Sequence, residues 1–155
     1  MNTNTVGEFS LFALPGSMNV ASTTFIVDAV GTAGTFDVGI YSGDGGTLYT
    51  QGTTNNIANT GLHSVTFSPS VTLGAGTYYW ALIPNGTANL TFKVRSLTTG
   101  LMNESLPEQN IFQLVGESNP AISVSGLTAG TLPASFDPTI NSSPSWYIFR
   151  LDNPL

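Results

Sequence analysis

Between Gly34 and Asn85 apolar residues alternate with polar ones in one segment after another, and glycine-rich turns separate the segments. A period of two places successive side chains on opposite faces of an extended strand. In Thr35-Phe36-Asp37-Val38-Gly39-Ile40-Tyr41, Phe36, Val38 and Ile40 share one face. Ser42-Gly43-Asp44-Gly45-Gly46 then reads as a hairpin turn, because its residues tolerate positive φ. Leu62–Phe67 and Gly76–Ile83 follow at spacings that suit an antiparallel sandwich. The expected fold is all-β: a jelly-roll-like antiparallel β-sandwich, with residues 1–155 forming a single domain.

Further strands are expected at Glu8–Leu14, which Pro15-Gly16 stops, and at Ala21–Val30, whose two faces both carry apolar residues and which therefore belongs at the centre of a sheet or at an interface. A short strand at Thr47–Gln51 completes the first hairpin, and Pro69 bends the chain after Phe67. Asn85-Gly86 predicts a type I′ turn that pairs Tyr78–Ile83 with Leu90–Arg95 as a second hairpin. Residues 97–144 are rich in Gly, Pro, Ser and Asn and read as a long irregular excursion or intersubunit arm with short strands, within which Leu101–Leu114 allows a short helix limited by Pro107. Residues 1–7 read as an N-terminal arm, and residues 145–155 hold a closing strand from Trp146 to Leu151.

Charge excludes several function classes. Only 8% of residues are charged and the net charge is −6, with Lys93, Arg95 and Arg150 the only cations, so direct nucleic-acid binding, which depends on neutralising phosphates, is not expected. Anionic membrane surfaces are disfavoured for the same reason, and no apolar run reaches the roughly 18 residues of a spanning helix. The polar surface must be built from Thr, Ser, Asn and Gly, which is cheap to desolvate and suits broad contact with protein or with sugar hydroxyls. The sequence has no cysteine, which removes disulfides and thiolate chemistry, and Met1–Thr5 opens no apolar h-region, so synthesis in a cytoplasm without a signal peptide is expected.

Candidate chemistry is thin. His63 is the sole histidine, lies opposite Leu62 in a strand and has no nucleophile elbow near it, so it reads as an exposed strand residue. Glu104, Glu108 and Glu117 would have to converge to form a glycosidase pair and are more simply read as solubilising loop residues. Asp44 suggests calcium only superficially, because oxygen ligands at regular spacing do not accompany it and a hairpin turn explains it. Asp28 and Asp37 fall mid-strand, where they could face each other or Lys93 and Arg95 across a sheet, and they read as edge or interface charges that discourage sheet-to-sheet aggregation. No catalytic residue, metal ligand or cofactor is assigned. The aromatic residues are two-sided: if Tyr78 and Trp80 point inward, Tyr79 points outward, and Tyr41, Tyr79 and Tyr147 become candidate exposed aromatics for a partner or a glycan.

The run Gly34–Gly45, with its Gly39-Ile40-Tyr41-Ser42-Gly43-Asp44-Gly45 hairpin, followed by Gly61–Phe67 and by Leu73-Gly74-Ala75-Gly76-Thr77-Tyr78-Tyr79, resembles β-sandwich modules of tailed-bacteriophage virions, found in head decoration (cement) proteins and in tail fibre and spike tips. The resemblance covers Thr23–Leu90 and, more loosely, the C-terminal third. It implies a virion structural protein at the capsid surface, commonly a homotrimer, with the major capsid protein as partner and no catalytic residue carried over. Asn2, Thr3, Asn4 and Thr5 of the arm, with Phe112 and Leu114 of the excursion, are the candidate capsid and intersubunit contacts. A carbohydrate-binding tail tip is the alternative.

Overall fold

The structure, a computed structural model, describes residues 5–92, 94–96, 121–138, 142–143, 145–147 and 149–153. The described residues form twelve strands and no helix: β1 (Thr5–Leu14), β2 (Met18–Thr32), β3 (Phe36–Ser42), β4 (Leu48–Thr53), β5 (Gly61–Leu73), β6 (Gly76–Pro84), β7 (Asn89–Phe92), β8 (Val94–Ser96), β9 (Ala121–Leu127), β10 (Ser142–Ser143), β11 (Ser145–Tyr147) and β12 (Phe149–Asp152). A six-stranded sheet in the order β10-β9-β1-β6-β3-β4 packs on a sheet in the order β12-β2-β5, with β7 also paired to β2 and β11 paired to β8 in a separate ribbon. The chain is an antiparallel β-sandwich, as the alternation predicts.

The alternating residues meet between the sheets. Phe12, Leu14, Phe36, Val38, Ile40, Tyr78, Trp80 and Leu82 from the larger sheet pack on Val20, Phe25, Val27, Val65, Phe67, Leu73 and Leu151 from the smaller one. Trp80 stands at the centre, its ring stacked on Phe149 at 4.8 Å and 7° and tilted against Phe25 at 5.8 Å. Its indole N–H donates to Thr23 Oγ1 at 3.1 Å, and the Thr23 hydroxyl donates onward to the Arg150 carbonyl at 2.9 Å, so the buried indole is satisfied through a link between the sheets.

Several expectations change. The β3–β4 hairpin forms, but Asn85-Gly86 does not close a second one: β6 belongs to the larger sheet and β7 pairs with β2 in the smaller, so the turn carries the chain across the sandwich. A local turn signal cannot distinguish a hairpin from a crossover, because both need the same backbone reversal. The N-terminal arm is shorter than expected, since β1 begins at Thr5, with Thr5 and Gly7 paired, across a register shift at Val6, to β9, a partner that lies more than 100 residues away in sequence. β9 itself removes residues 121–127 from the irregular excursion and makes them an internal strand of the larger sheet. The expected closing strand is two strands in different sheets, β11 on β8 and β12 on β2. β5 runs on through Pro69, where the β2–β5 register jumps between Val20 and Ser22, a place where a missing N–H is tolerated. The Leu101–Leu114 helix expectation lies outside the described residues.

Candidate functional site

The outer face of the six-stranded sheet is sealed. Phe9, Tyr41, Tyr79, Ala81 and Ile83 form a second apolar cluster there, and the segment after β9 crosses over it, contributing Leu132 and Phe136. Phe136 fills the centre, 4.1 Å from the Phe9 ring and edge-on to Tyr41 and Tyr79 at 5.2 and 5.1 Å. The cap is pinned by the Tyr41 hydroxyl donating to the Pro133 carbonyl at 2.6 Å, by Phe136 N–H donating to Gly45 O at 2.9 Å and by Gly130 N–H donating to Pro84 O at 3.3 Å. Burial pushes the Tyr41 phenol well above the usual tyrosine range.

This second core corrects the aromatic assignments. Tyr41 is fully buried and Tyr79 nearly so, which excludes both as exposed platforms for a partner or a glycan. The inference that Tyr79 points outward from Tyr78 and Trp80 is correct about direction; the reason it fails is that the outward face has a covering layer of its own, from a segment without strand periodicity. Tyr147 lies in β11 and its side chain is outside the described ones, as are Asn2, Thr3, Asn4, Phe112 and Leu114 altogether. Among the described side chains Tyr49 is the exposed aromatic, at 42%, set edge-on to Tyr78.

His63 is half-buried at the rim, on the same face as Val65 and Phe67, with Nε2 2.8 Å from the Asn59 carbonyl and the ring 6.4 Å from Phe25. His63 does lie opposite Leu62 as expected, but it is Leu62 that is thrown outward, 67% exposed, and the histidine is half-buried rather than fully exposed. Asp44 is engaged inside its own turn: the Ser42 hydroxyl and the Gly46 N–H both donate to Oδ1, and these bonds hold its carboxyl below the ordinary carboxylate range. Asp28 and Asp37 do not face each other, because β2 and β3 lie in different sheets. Glu104, Glu108 and Glu117 are outside the described residues, among which no trio of metal-binding side chains gathers.

Two surfaces remain as functional candidates. The outer face of the smaller sheet carries rows of cross-strand neighbours: Asp152, Ser22 and Thr66; Arg150, Thr24 and Ser64; Ile26 and Leu62. Asp152 accepts from the Thr24 hydroxyl at 3.0 Å and pairs with Arg150, so these two charges offset each other. Ser and Thr hydroxyls make up most of the rest, with an apolar corner at Ile26 and Leu62 beside the exposed Asp28. Among the described residues no further layer covers it, in contrast to the larger sheet.

The second candidate is a polar groove of about 540 Å³ at one end of the larger sheet, lined by β3, β4, the Asn85 turn, the cap and Ser68 of β5. Asp37 and Thr53 are direct cross-strand partners, and the Thr53 hydroxyl donates to Asp37 Oδ1 at 2.6 Å. Asn85 Nδ2 donates to Thr35 Oγ1 at 3.0 Å and reaches Asp37 Oδ1 at 3.4 Å. In the sequence Asp37 reads as an edge or interface charge and Asn85 as a turn residue; the β3–β6 pairing brings the two together across 48 positions. No protein-family model, no curated protein and no solved structure matches this chain.

Proposed function

We propose that this chain is a structural protein of a tailed-phage virion, a decoration protein that docks on the major capsid protein at the outer surface of the head, associates with itself as a homotrimer and reinforces the lattice. The observation that carries this reading is the asymmetry of the sandwich among the described residues: one sheet has its outer face sealed by the chain's own cap, and the other presents rows of Ser and Thr hydroxyls with an apolar corner at Leu62. Desolvating the centre of such a face costs little, since Arg150 and Asp152 are already paired there and its hydroxyls exchange one hydrogen-bond partner for another. The resemblance of the Gly34–Gly45 and Leu73–Tyr79 segments to virion modules supports the same assignment. The action is mechanical: each copy bridges neighbouring capsid subunits, and about 1,200–2,000 Å² of buried surface per contact suffices for stable attachment.

The tail-tip alternative, with exposed aromatics holding a host glycan, loses Tyr41 and Tyr79 to the second core. The test is to measure the protein's mass in solution and pellet it with empty capsids of its phage and, separately, with host cells. A trimer that pellets with capsids at fixed stoichiometry is expected. Pelleting with cells and not with capsids would move the protein to the tail.

A further inference from the structure

The geometry points to the Asp37–Asn85 groove as a binding site for a neutral saccharide, held by hydrogen bonds rather than by aromatic stacking. This inference stands apart from capsid docking: the groove's hydrogen-bonding residues come from β3, β4, the Asn85 turn and the cap, with only Ser68 contributed by β5 of the docking sheet.

Sugar hydroxyls are recognised by planar groups that accept and donate side by side, and the groove offers a carboxylate at Asp37 with amides at Asn85 and Gln51. Thr53 and Thr131 add hydroxyls at its mouth, and Leu132 closes its floor. The polar groups are oriented before any ligand arrives. The bonds from Thr53 and Asn85 converge on one oxygen of Asp37, and a carboxylate has acceptor capacity for more than those two. Asn85 is anchored from the other side by Thr35, which fixes which way its amide faces. Preorganised groups lose less entropy on binding, which matters for a ligand of few atoms.

Two glycines define the walls. Gly130 has φ of 69°, and a Cβ there would collide with the Asn85 amide oxygen, so the cap approaches the groove only as glycine. Gly52 lets β4 lie against β5, where a Cβ would collide with the Thr66 carbonyl. The charge of the groove selects its ligand: its lining residues include a carboxylate and no cation, so phosphate, sulfate and uronate groups are repelled while neutral hydroxyls are accepted. The groove is open to solvent and lacks a stacking ring, which places affinity in the weak range, with avidity supplied by copies on the same particle.

The experiment is an NMR titration of the isotopically labelled full chain with methyl α-glucoside, methyl α-galactoside, N-acetylglucosamine and inorganic phosphate. At least one sugar is expected to give saturable shifts confined to amides of 37, 51–53, 85 and 130–131, with phosphate leaving them in place. Asp37→Asn should weaken that binding about tenfold or more, as expected for a bond to a charged group. Gln51→Ala and Thr131→Ala, both at exposed positions, should weaken it severalfold with the remaining spectrum unchanged, and they carry the test if Asp37→Asn perturbs folding. The inference is overturned if none of the three sugars saturates at these amides, if phosphate does so in their place, or if the side-chain variants bind as the parent does. Capsid pelleting of Gln51→Ala reports separately on docking and should be unaffected.

Discussion

At the scale of single residues, stability concentrates in a few polar atoms with no access to water. The Trp80 indole N–H depends on Thr23, and replacing that hydroxyl with a methyl group leaves a buried donor unpaired. Thr23→Val should therefore cost about 1–3 kcal/mol in denaturant unfolding, and Thr23→Ser distinctly less. Tyr41 gives a pH signature. Its ordinary pKa is 10.0, and burial raises it in the folded protein, so the unfolded chain ionises first. Its contribution is fully present below about pH 10 and is lost as pH rises through and beyond that value. Tyr41→Phe sacrifices the bond to the Pro133 carbonyl and should be about 1 kcal/mol less stable at pH 7, yet its stability should fall less steeply than the parent's between about pH 9.5 and 11. Equal slopes for the two proteins would contradict the burial of this phenol.

At the scale of elements, the organising fact is that the larger sheet has two buried faces. Its strand β6 reads as near-continuous burial, Tyr78 through Ile83, because the sandwich lies on one side and the cap on the other. Leu132→Ala and Phe136→Ala should each destabilise the fold by about 2–4 kcal/mol and lower Tm by roughly 5–15 °C, with Tyr41 and Tyr79 becoming accessible to solvent quenchers. A cap that is only a surface loop would leave both quantities near the parent's. The alternation made β3, β4 and β6 legible because their apolar residues alternate with polar ones or end at glycine turns. Partners were less legible. β1 extends to Thr5 because β9 lies beside it, and the Asn85 turn crosses between sheets because β2 is long enough to take β12 beside Ser22–Phe25 and β7 beside Val27–Thr32. Pairings between residues so distant in sequence leave no local trace, and the cap, an aperiodic segment, has no pattern to read. For the same reason the groove was invisible, although Asp37, an acidic residue inside an apolar strand, was its one available clue.

On the scale of the whole molecule, the sandwich is directional. The sealed side presents the polar groove, and the open side presents the hydroxyl face, so a particle-bound copy lying on the smaller sheet would turn its groove outward. Leu62→Glu combined with Ser64→Glu adds two charges to that open face at exposed positions and should leave Tm nearly unchanged while abolishing capsid pelleting. The most direct measurement is a cryo-electron microscopy difference map between capsids with and without the bound protein. The account predicts added density in which the face formed by β2, β5 and β12 lies against the capsid subunits and the Phe136 cap faces solvent. Density with the cap against the lattice, or no added density at saturating protein, would contradict it.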